Sequence, residues 1–272
     1  MRLDSFMLTN FKEKDLQKLI PLQPKGWDDI KIDFQYYLDH DFCKIIKIEA
    51  ENQLCGVGVN IIFGKTAWLS HIIVNQAFRK QGIGTRITKE LLKISENHNV
   101  ETTSLIATDL GKPIYKKAGF REELNYIYLK RKEGILDFNI SNQIRKANPS
   151  DYQKVLKLDQ FISGENRTLL ISEYLNEVMI YETNEEVLGY FIPNLGNEPI
   201  YAVSEEAGIE LMKFKYSKIT KAALPETNET ALNFLFENGF EQTDKKGTRM
   251  VLGKKLDWKP KLFFSRIGGN FG

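Results

Sequence analysis

Three groups of residues in this sequence have types and spacing that could do chemistry. The first is Arg79-Lys80-Gln81-Gly82-Ile83-Gly84-Thr85, where the apolar run Ile72, Ile73, Val74 gives way to a basic, glycine-punctuated turn and then to a helix. Gly82 and Gly84 have no Cβ, so an anion can reach the backbone N–H groups that a first helical turn leaves unpaired. The helix dipole and the Arg79 and Lys80 side chains favour the same occupant, and the chemistry indicated is phosphate binding. Neither common phosphate fingerprint is complete. Ile87 stands where Gly-x-Gly-x-x-Gly would place its third glycine, and no Gly-Lys-Ser/Thr follows.

The second group is Lys112-Pro113-Ile114-Tyr115-Lys116-Lys117-Ala118-Gly119-Phe120. Pro113 suits a first helical turn and Gly119 a left-handed cap, which predicts a two-turn helix with Tyr115 in its middle. A phenol with a pKa near 10 can donate to a departing thiolate whose conjugate acid lies at about 8.5, and the competing reading is a packed aromatic. The third is His71, the one titratable side chain in residues 68–74. It is read either as a general base or as a hydrogen-bonded structural histidine, and proton relay through ordered water is a further route. His40, His71 and His98 are too scattered for a metal site. Cys43 and Cys55 read as small buried hydrophobes without a nucleophile's surroundings. Gly26-Trp27-Asp28 forms a breaker loop, with Trp27 as either an acceptor-binding edge or a packed aromatic.

These groups need elements to position them. Residues 15–20 and 28–38 read as helices, followed by β-type runs at 43–49, 54–63 and 66–74. Ile83, Ile87, Leu91 and Ile94 recur at helical spacing, and residues 102–108, 112–118 and 120–129 read as strand, helix and strand. The order predicts an α+β domain with a mixed sheet formed around an antiparallel meander. From Asn142 the pattern restarts. Glu186 to Phe191 echoes Gln53 to Gly58, and Phe234 to Phe240 echoes Ile114 to Phe120, so the expected domains are 1–133 and 142–272 with a polar linker at 134–141. In the second copy Leu235 takes the place of Tyr115, and Ser204-Glu205-Glu206 opens the helix that Arg and paired glycines open in the first. Two carboxylates there would repel a diphosphate.

The 272 residues suffice for two cores, and a formal net charge of +2 gives no argument for nucleic acid. No apolar run approaches membrane-spanning length, and Met1-Arg2-Leu3-Asp4-Ser5 lacks a signal peptide's apolar core, so a cytoplasmic protein is expected.

Residues 79–84 resemble the Arg/Gln-x-x-Gly-x-Gly/Ala pyrophosphate loop of the GNAT N-acetyltransferases, and residues 115–120 resemble their Tyr-x-x-x-Gly-Phe helix. A narrower likeness spans nearly the whole chain. Gly26-Trp27-Asp28, Ala107-Thr108 to Tyr115, Arg249-Met250-Val251-Leu252-Gly253 and an aromatic tail ending at Gly272 are similar to segments of tandem GNAT proteins. The resemblance implies two GNAT-like domains, each a mixed, mostly antiparallel sheet flanked by helices, the second degenerate. It implies acetyl-CoA as co-substrate, with its diphosphate on Arg79, Lys80, Gln81, Gly82, Ile83, Gly84 and Thr85 and its pantetheine arm on Ile72, Ile73 and Val74. Thr108 stands where many relatives have asparagine, and Asp28 where an asparagine is usual.

On this reading Tyr115 is the acid, His71 a candidate base, and Trp27 and Asp28 line the acceptor. The expected activity is direct transfer of acetyl to a primary amine of a small molecule or peptide, without metal, nucleic acid or membrane; homodimerisation stays open. The rival is an acyl-CoA sensor without catalysis, and a third reading is a pseudo-enzyme that has lost the coenzyme. The acceptor's identity is not legible.

Overall fold

The computed structural model describes residues 6–272, and the Met1 to Ser5 segment used for the signal-peptide reading lies outside the described residues. Two compact units interleave along the chain. The first takes the described residues up to Arg121 together with Met250–Lys254 and Gly269–Phe271; the second takes Glu122–Arg249, Lys255–Gly268 and Gly272. The polar stretch 134–141 lies within the second unit and carries neither helix nor strand.

In the first unit β1 (Met7–Asn10) precedes a 3₁₀ helix, Glu13–Leu22, and then come α1 (Ile30–Asp39), β2 (Cys43–Ala50), β3 (Gln53–Phe63) and β4 (Thr66–Val74). They are followed by α2 (Ile83–Asn97), β5 (Thr102–Ala107), α3 (Lys112–Lys117) and the first residue of β6 (Arg121–Lys130). β1 to β4 pair antiparallel in sequence, and β4 runs parallel to β5, giving the expected mixed sheet. Residues 15–20, read as a helix, lie in the 3₁₀ segment, whose Pro21 lacks the N–H needed to continue a regular ladder. The second helix starts at Ile30 rather than at residue 28, because the Asp29 side chain accepts from Lys31 N at 3.0 Å and so caps it.

The long helix lies close on the sheet because β3 offers glycine beneath it. A Cβ on Gly58 would stand 2.4 Å from Ile87 and 2.9 Å from Leu91, and one on Gly56 would stand 3.0 Å from Ile87. Ile83, Ile87 and Leu91 are thereby buried against Ile46, Ile48, Leu105 and Phe120. This contact fixes where α2 begins, and with it the phosphate turn.

The second unit repeats the order with β7 (Ile144–Lys146), α4 (Tyr152–Ser163), α5 (Thr168–Ile171), β8 (Met179–Thr183), β9 (Glu186–Phe191) and β10 (Ile200–Ala202). Then come α6 (Glu205–Tyr216), β11 (Lys221–Pro225), α7 (Glu229–Glu237), β12 (Glu241–Gly253) and β13 (Phe263–Ser265). The strand order is β13-β10-β9-β8-β7 in one sheet, while β11 pairs antiparallel with β6. The helix ends match in detail. Phe120 N donates to Tyr115 O at 3.0 Å and Phe240 N to Leu235 O at 3.0 Å, with Gly119 at φ 93° and Gly239 at φ 78°.

Candidate active site

β4 and β5 part company halfway. Their pairs are Thr66 with Thr102, Ala67 with Thr103 and Trp68 with Ser104, yet β4 continues to Val74 and β5 to Ala107. Beyond Trp68 the edge of β4 that faces β5 has no strand partner among the described residues. The divergence coincides with a bulge at which His71 and Ile72 together oppose Gly58, because Val57 pairs with Ile73 but Val59 pairs with Ser70. His71 adopts a left-handed φ of 45°, which inserts the extra residue. Ile72, Ile73 and Val74 therefore stand paired with β3 on one side and open on the other.

At the end of this edge the chain makes the turn into α2. Lys80 (φ 62°) and Gly82 (φ 80°) are both left-handed, and Gly82 is the N-cap. No side chain caps the helix, and the first intrahelical bond is Arg86 N to Gly82 O at 3.0 Å, so the N–H groups of Ile83, Gly84 and Thr85 are unclaimed by the helix. Arg79 and Lys80 are exposed, Gln81 is half-buried, and Arg79 Nε donates to Val74 O at 3.3 Å, which ties the turn to the strand. This is a cradle for an anion made of backbone donors with two cations beside it. The donor set suits a diphosphate.

A Cβ on Gly84 would stand 3.2 Å from Ile114 and 3.6 Å from Val74, so the start of α2, the end of β4 and α3 meet at this glycine. Tyr115 follows Ile114. Its ring packs over Gly111, where a Cβ would stand 2.8 Å from the ring, and lies edge-on to Phe120 at 6.0 Å. Burial pushes the phenol up to about 12, and the hydroxyl has no hydrogen-bond partner among the described residues. The group is a protonated donor across the whole range in which an amine acceptor loses its proton. Thr108 is exposed, and its carbonyl accepts from Gly111 N and Lys112 N to start α3.

His71 sits in a separate constellation on the same strand. Its Nδ1 lies 3.0 Å from Tyr37 Oη and 2.9 Å from Ser70 Oγ, and its Nε2 lies 3.4 Å from Asp33 Oδ2. Asn270 Nδ2 donates to Tyr37 Oη at 3.0 Å. A proton on Nδ1, donated to a hydroxyl oxygen, leaves the Nε2 lone pair free on the Asp33 side. Burial holds the Tyr37 phenol well above its usual value, so it remains a donor. Trp27, 45% exposed, packs edge-on to the imidazole at 5.7 Å, and Phe34 does so at 5.6 Å. Asp28 is exposed and only its carbonyl is held, by Gln23 Nε2 at 2.9 Å; the carboxylate brought to the histidine belongs to Asp33.

Asp33 and Tyr37 share a helix face at i and i+4, a spacing that could have marked them beside His71. Gln23 and Asn270 carried no such signal: Gln23 fastens the loop through Trp27 O, Asp28 O and Ile30 N, and Asn270 lies at the far end of the chain. Cys55 is fully buried, and burial pushes its thiol up, which removes it as a thiolate nucleophile.

The second unit closes each of these features. The edge of β10 pairs with β13, Ile200 with Ser265 and Tyr201 with Phe263, and Arg266 N then donates to Ala223 O of β11 at 3.1 Å. The Ser204 side chain caps α6 by accepting from Ala207 N at 3.2 Å, and Leu235 is fully buried.

The open β4 edge, the uncapped helix start and the tyrosine helix docked on it lie in a GNAT-type fold. Residues 33–137 match the family model described as an acetyltransferase (GNAT) domain. Among solved structures, a candidate acetyltransferase from Pyrococcus horikoshii is similar at 20% identity, covering 100% of this chain and 98% of that one with a TM-score of 0.83. A GCN5-related N-acetyltransferase from Sphaerobacter thermophilus is similar at 12% identity, covering 95% and 100% (TM-score 0.66). A tandem GNAT protein from the clavulanic acid biosynthesis pathway, solved without AcCoA, is 12% identical over 91% and 98% (TM-score 0.60). No protein of curated function matches the sequence. These likenesses establish the fold, two sheets flanked by helices, and the family supports acetyl transfer as the class of activity. No helix among the described residues is long and apolar enough to cross a membrane.

Proposed function

We propose that this chain is an acetyl-CoA-dependent N-acetyltransferase working by direct transfer in its first unit. The observation that carries the reading is the uncapped start of α2 at the end of the open β4 edge, with the unpartnered Tyr115 hydroxyl on the adjoining helix. Backbone donors of Ile83, Gly84 and Thr85, with Arg79, Lys80, Gln81 and Gly82, hold the diphosphate. The free side of Ile72, Ile73 and Val74 holds the pantetheine amides, and Thr108 is a further coenzyme contact.

Acetyl-CoA supplies an activated acyl group. Asp33, half-exposed beside Trp27, attracts an ammonium, and His71 takes the proton that frees the amine. The amine nitrogen then bonds to the acetyl carbon as the carbon–sulfur bond breaks, and the Tyr115 hydroxyl donates to the sulfur as charge develops there. The acceptor class is a primary amine of a small molecule or peptide.

Replacement Tyr115→Phe tests the reading. Turnover of a responsive amine, measured by thiol release, is expected to fall roughly 10²–10⁴-fold while acetyl-CoA affinity holds. Unchanged turnover would remove Tyr115 from the mechanism, and failure of acetyl-CoA to raise the melting temperature of the wild type would remove the enzyme reading itself.

A further inference from the structure

The first unit takes in Gly269–Phe271, a segment that the acetyl-transfer reading leaves unused. Ile267 N and Gly268 N both donate to Gly272 O, at 2.9 and 3.2 Å, which closes the turn that carries Asn270. Phe271 is buried, its ring centre 5.9 Å from that of Tyr36 and 6.5 Å from that of Tyr37, so the segment is seated on α1. Asn270 is half-buried, and its amide reaches Tyr37: Nδ2 donates to Oη at 3.0 Å, across 233 positions of sequence.

Tyr37 is in turn the neighbour of the candidate base. Its oxygen lies 3.0 Å from His71 Nδ1 and is hydrogen-bonded to Ser70, whose own Oγ lies 2.9 Å from the same nitrogen. Burial keeps the phenol protonated, so its hydrogen has to be placed somewhere in this group. The assignment that leaves Nε2 able to accept is directional. Asn270 Nδ2–H and His71 Nδ1–H both donate to Tyr37 Oη, and Tyr37 O–H donates to Ser70 Oγ; both phenol lone pairs are then used, and the phenol hydrogen is kept off Nδ1. When Nε2 takes a proton beside Asp33, none of these bonds has to turn. Without the amide donor the phenol is released to aim its hydrogen at Nδ1, which moves the imidazole hydrogen to Nε2 and removes the base.

We propose that Asn270 is a positioning residue for acetyl transfer: it fixes Tyr37 as the acceptor of His71 Nδ1–H and so holds the imidazole in the tautomer whose Nε2 takes the proton of the amine. The proposal rests on the reading of His71 as the base. In this role the amide touches neither coenzyme nor acceptor and acts through Tyr37.

Long-range proton–nitrogen NMR of the histidine rings reads the tautomer directly, on the full chain without coenzyme at about pH 8.5, above the histidine range. The His71 signals, assigned by their loss in His71→Gln, should show Nδ1 protonated in the wild type and a population moved to Nε2–H in Asn270→Ala. A wild type protonated at Nε2, or a tautomer unchanged in the variant, overturns the proposal. In thiol-release assays Asn270→Ala should lower kcat about tenfold with the KM for acetyl-CoA unchanged, and should cost nothing further in a Tyr37→Phe background. A loss that adds in full to that of Tyr37→Phe, or one confined to KM, assigns Asn270 to packing of the tail and overturns the proposal as well. If Asn270→Ala does not fold, Asn270→Leu, which keeps the side-chain volume and removes the donor, replaces it under the same expectations. The transfer reading fails separately: wild-type turnover in both Tyr115→Phe and His71→Gln removes that reading, whereas full turnover in Asn270→Ala beside a steep loss in His71→Gln strikes only the role of Asn270.

Discussion

β4 and β10 hold the same place in two runs of one element order, each followed by a helix that lies across its own sheet. In the first unit the strand bulges at His71 and leaves its outer edge free from Leu69 onward. In the second, β13 occupies that edge, Phe264 presses on Gly208 of α6, and Ser204 satisfies the helix start. The difference lies in what satisfies the backbone. An unpaired strand edge and an uncapped helix start leave polar groups exposed, so one copy meets that demand with its own tail while the other leaves it open. Retaining the fold therefore does not require retaining the cleft.

The largest effect expected from this contrast concerns Phe264. Its ring is buried at 1% exposure, and a Cβ on Gly208 would stand 2.2 Å from it, so the tail is core material. Phe264→Ala should destabilise the protein by about 3–5 kcal/mol in urea denaturation. A loss below about 1 kcal/mol would mean that the tail only rests on the cleft, and the contrast between filled and open edges would fail.

A smaller, pH-dependent effect should arise at Lys215 of α6, which is buried and donates to Asn197 O at 2.5 Å, Glu198 O at 2.7 Å and Ser265 Oγ at 2.8 Å, the last on β13. Burial pushes its amine down to about 7. Below that pH both folded and unfolded chains carry the proton, and the unfavourable burial of charge is felt in full. Between about 7 and the ordinary value of 10.5 the unfolded chain binds more protons, so stability rises with pH, by at most about 1.4 kcal/mol per unit. Denaturation at pH 7 and pH 9.5 should show the rise in wild type and its absence in Lys215→Met. A rise that persists in the variant would assign the dependence elsewhere.

Much of this contrast was legible before any coordinates. Local patterns set the meander, the long helix and the tyrosine helix, because apolar period, Pro113 and Gly119 act within a few residues. They also flagged Leu235 and Ser204-Glu205-Glu206 as departures from the first copy. The bulge at His71 left no mark in the pattern, because one left-handed residue carries no periodic signal. The 3₁₀ character of Glu13–Leu22 carried no signal in the apolar pattern, although Pro21 marks its end. Asp33 was hidden because Asp28 carried the motif, although the helix phase places Asp33 beside Tyr37. Asn270 to Tyr37 and β13 to β10 were beyond reach: both contacts join residues far apart in sequence, and no periodicity encodes them.

The smallest expected effect sharpens the contrast most, because it separates helix capping from cleft filling. Ser204 is one of three reasons why α6 should bind no diphosphate; the others are the Glu205 and Glu206 carboxylates in its first turn and the chain segment at β13. Ser204→Ala removes the cap from Ala207 N and should destabilise by about 1 kcal/mol. It frees N–H donors at the helix start, as at Ile83, Gly84 and Thr85, but leaves Glu205 and Glu206 in the first turn and the β10 edge paired. Isothermal titration should therefore find the same acetyl-CoA stoichiometry in the variant as in the wild type. A second equivalent bound by Ser204→Ala would show that the cap alone had silenced the second copy, and that the tail was never the barrier.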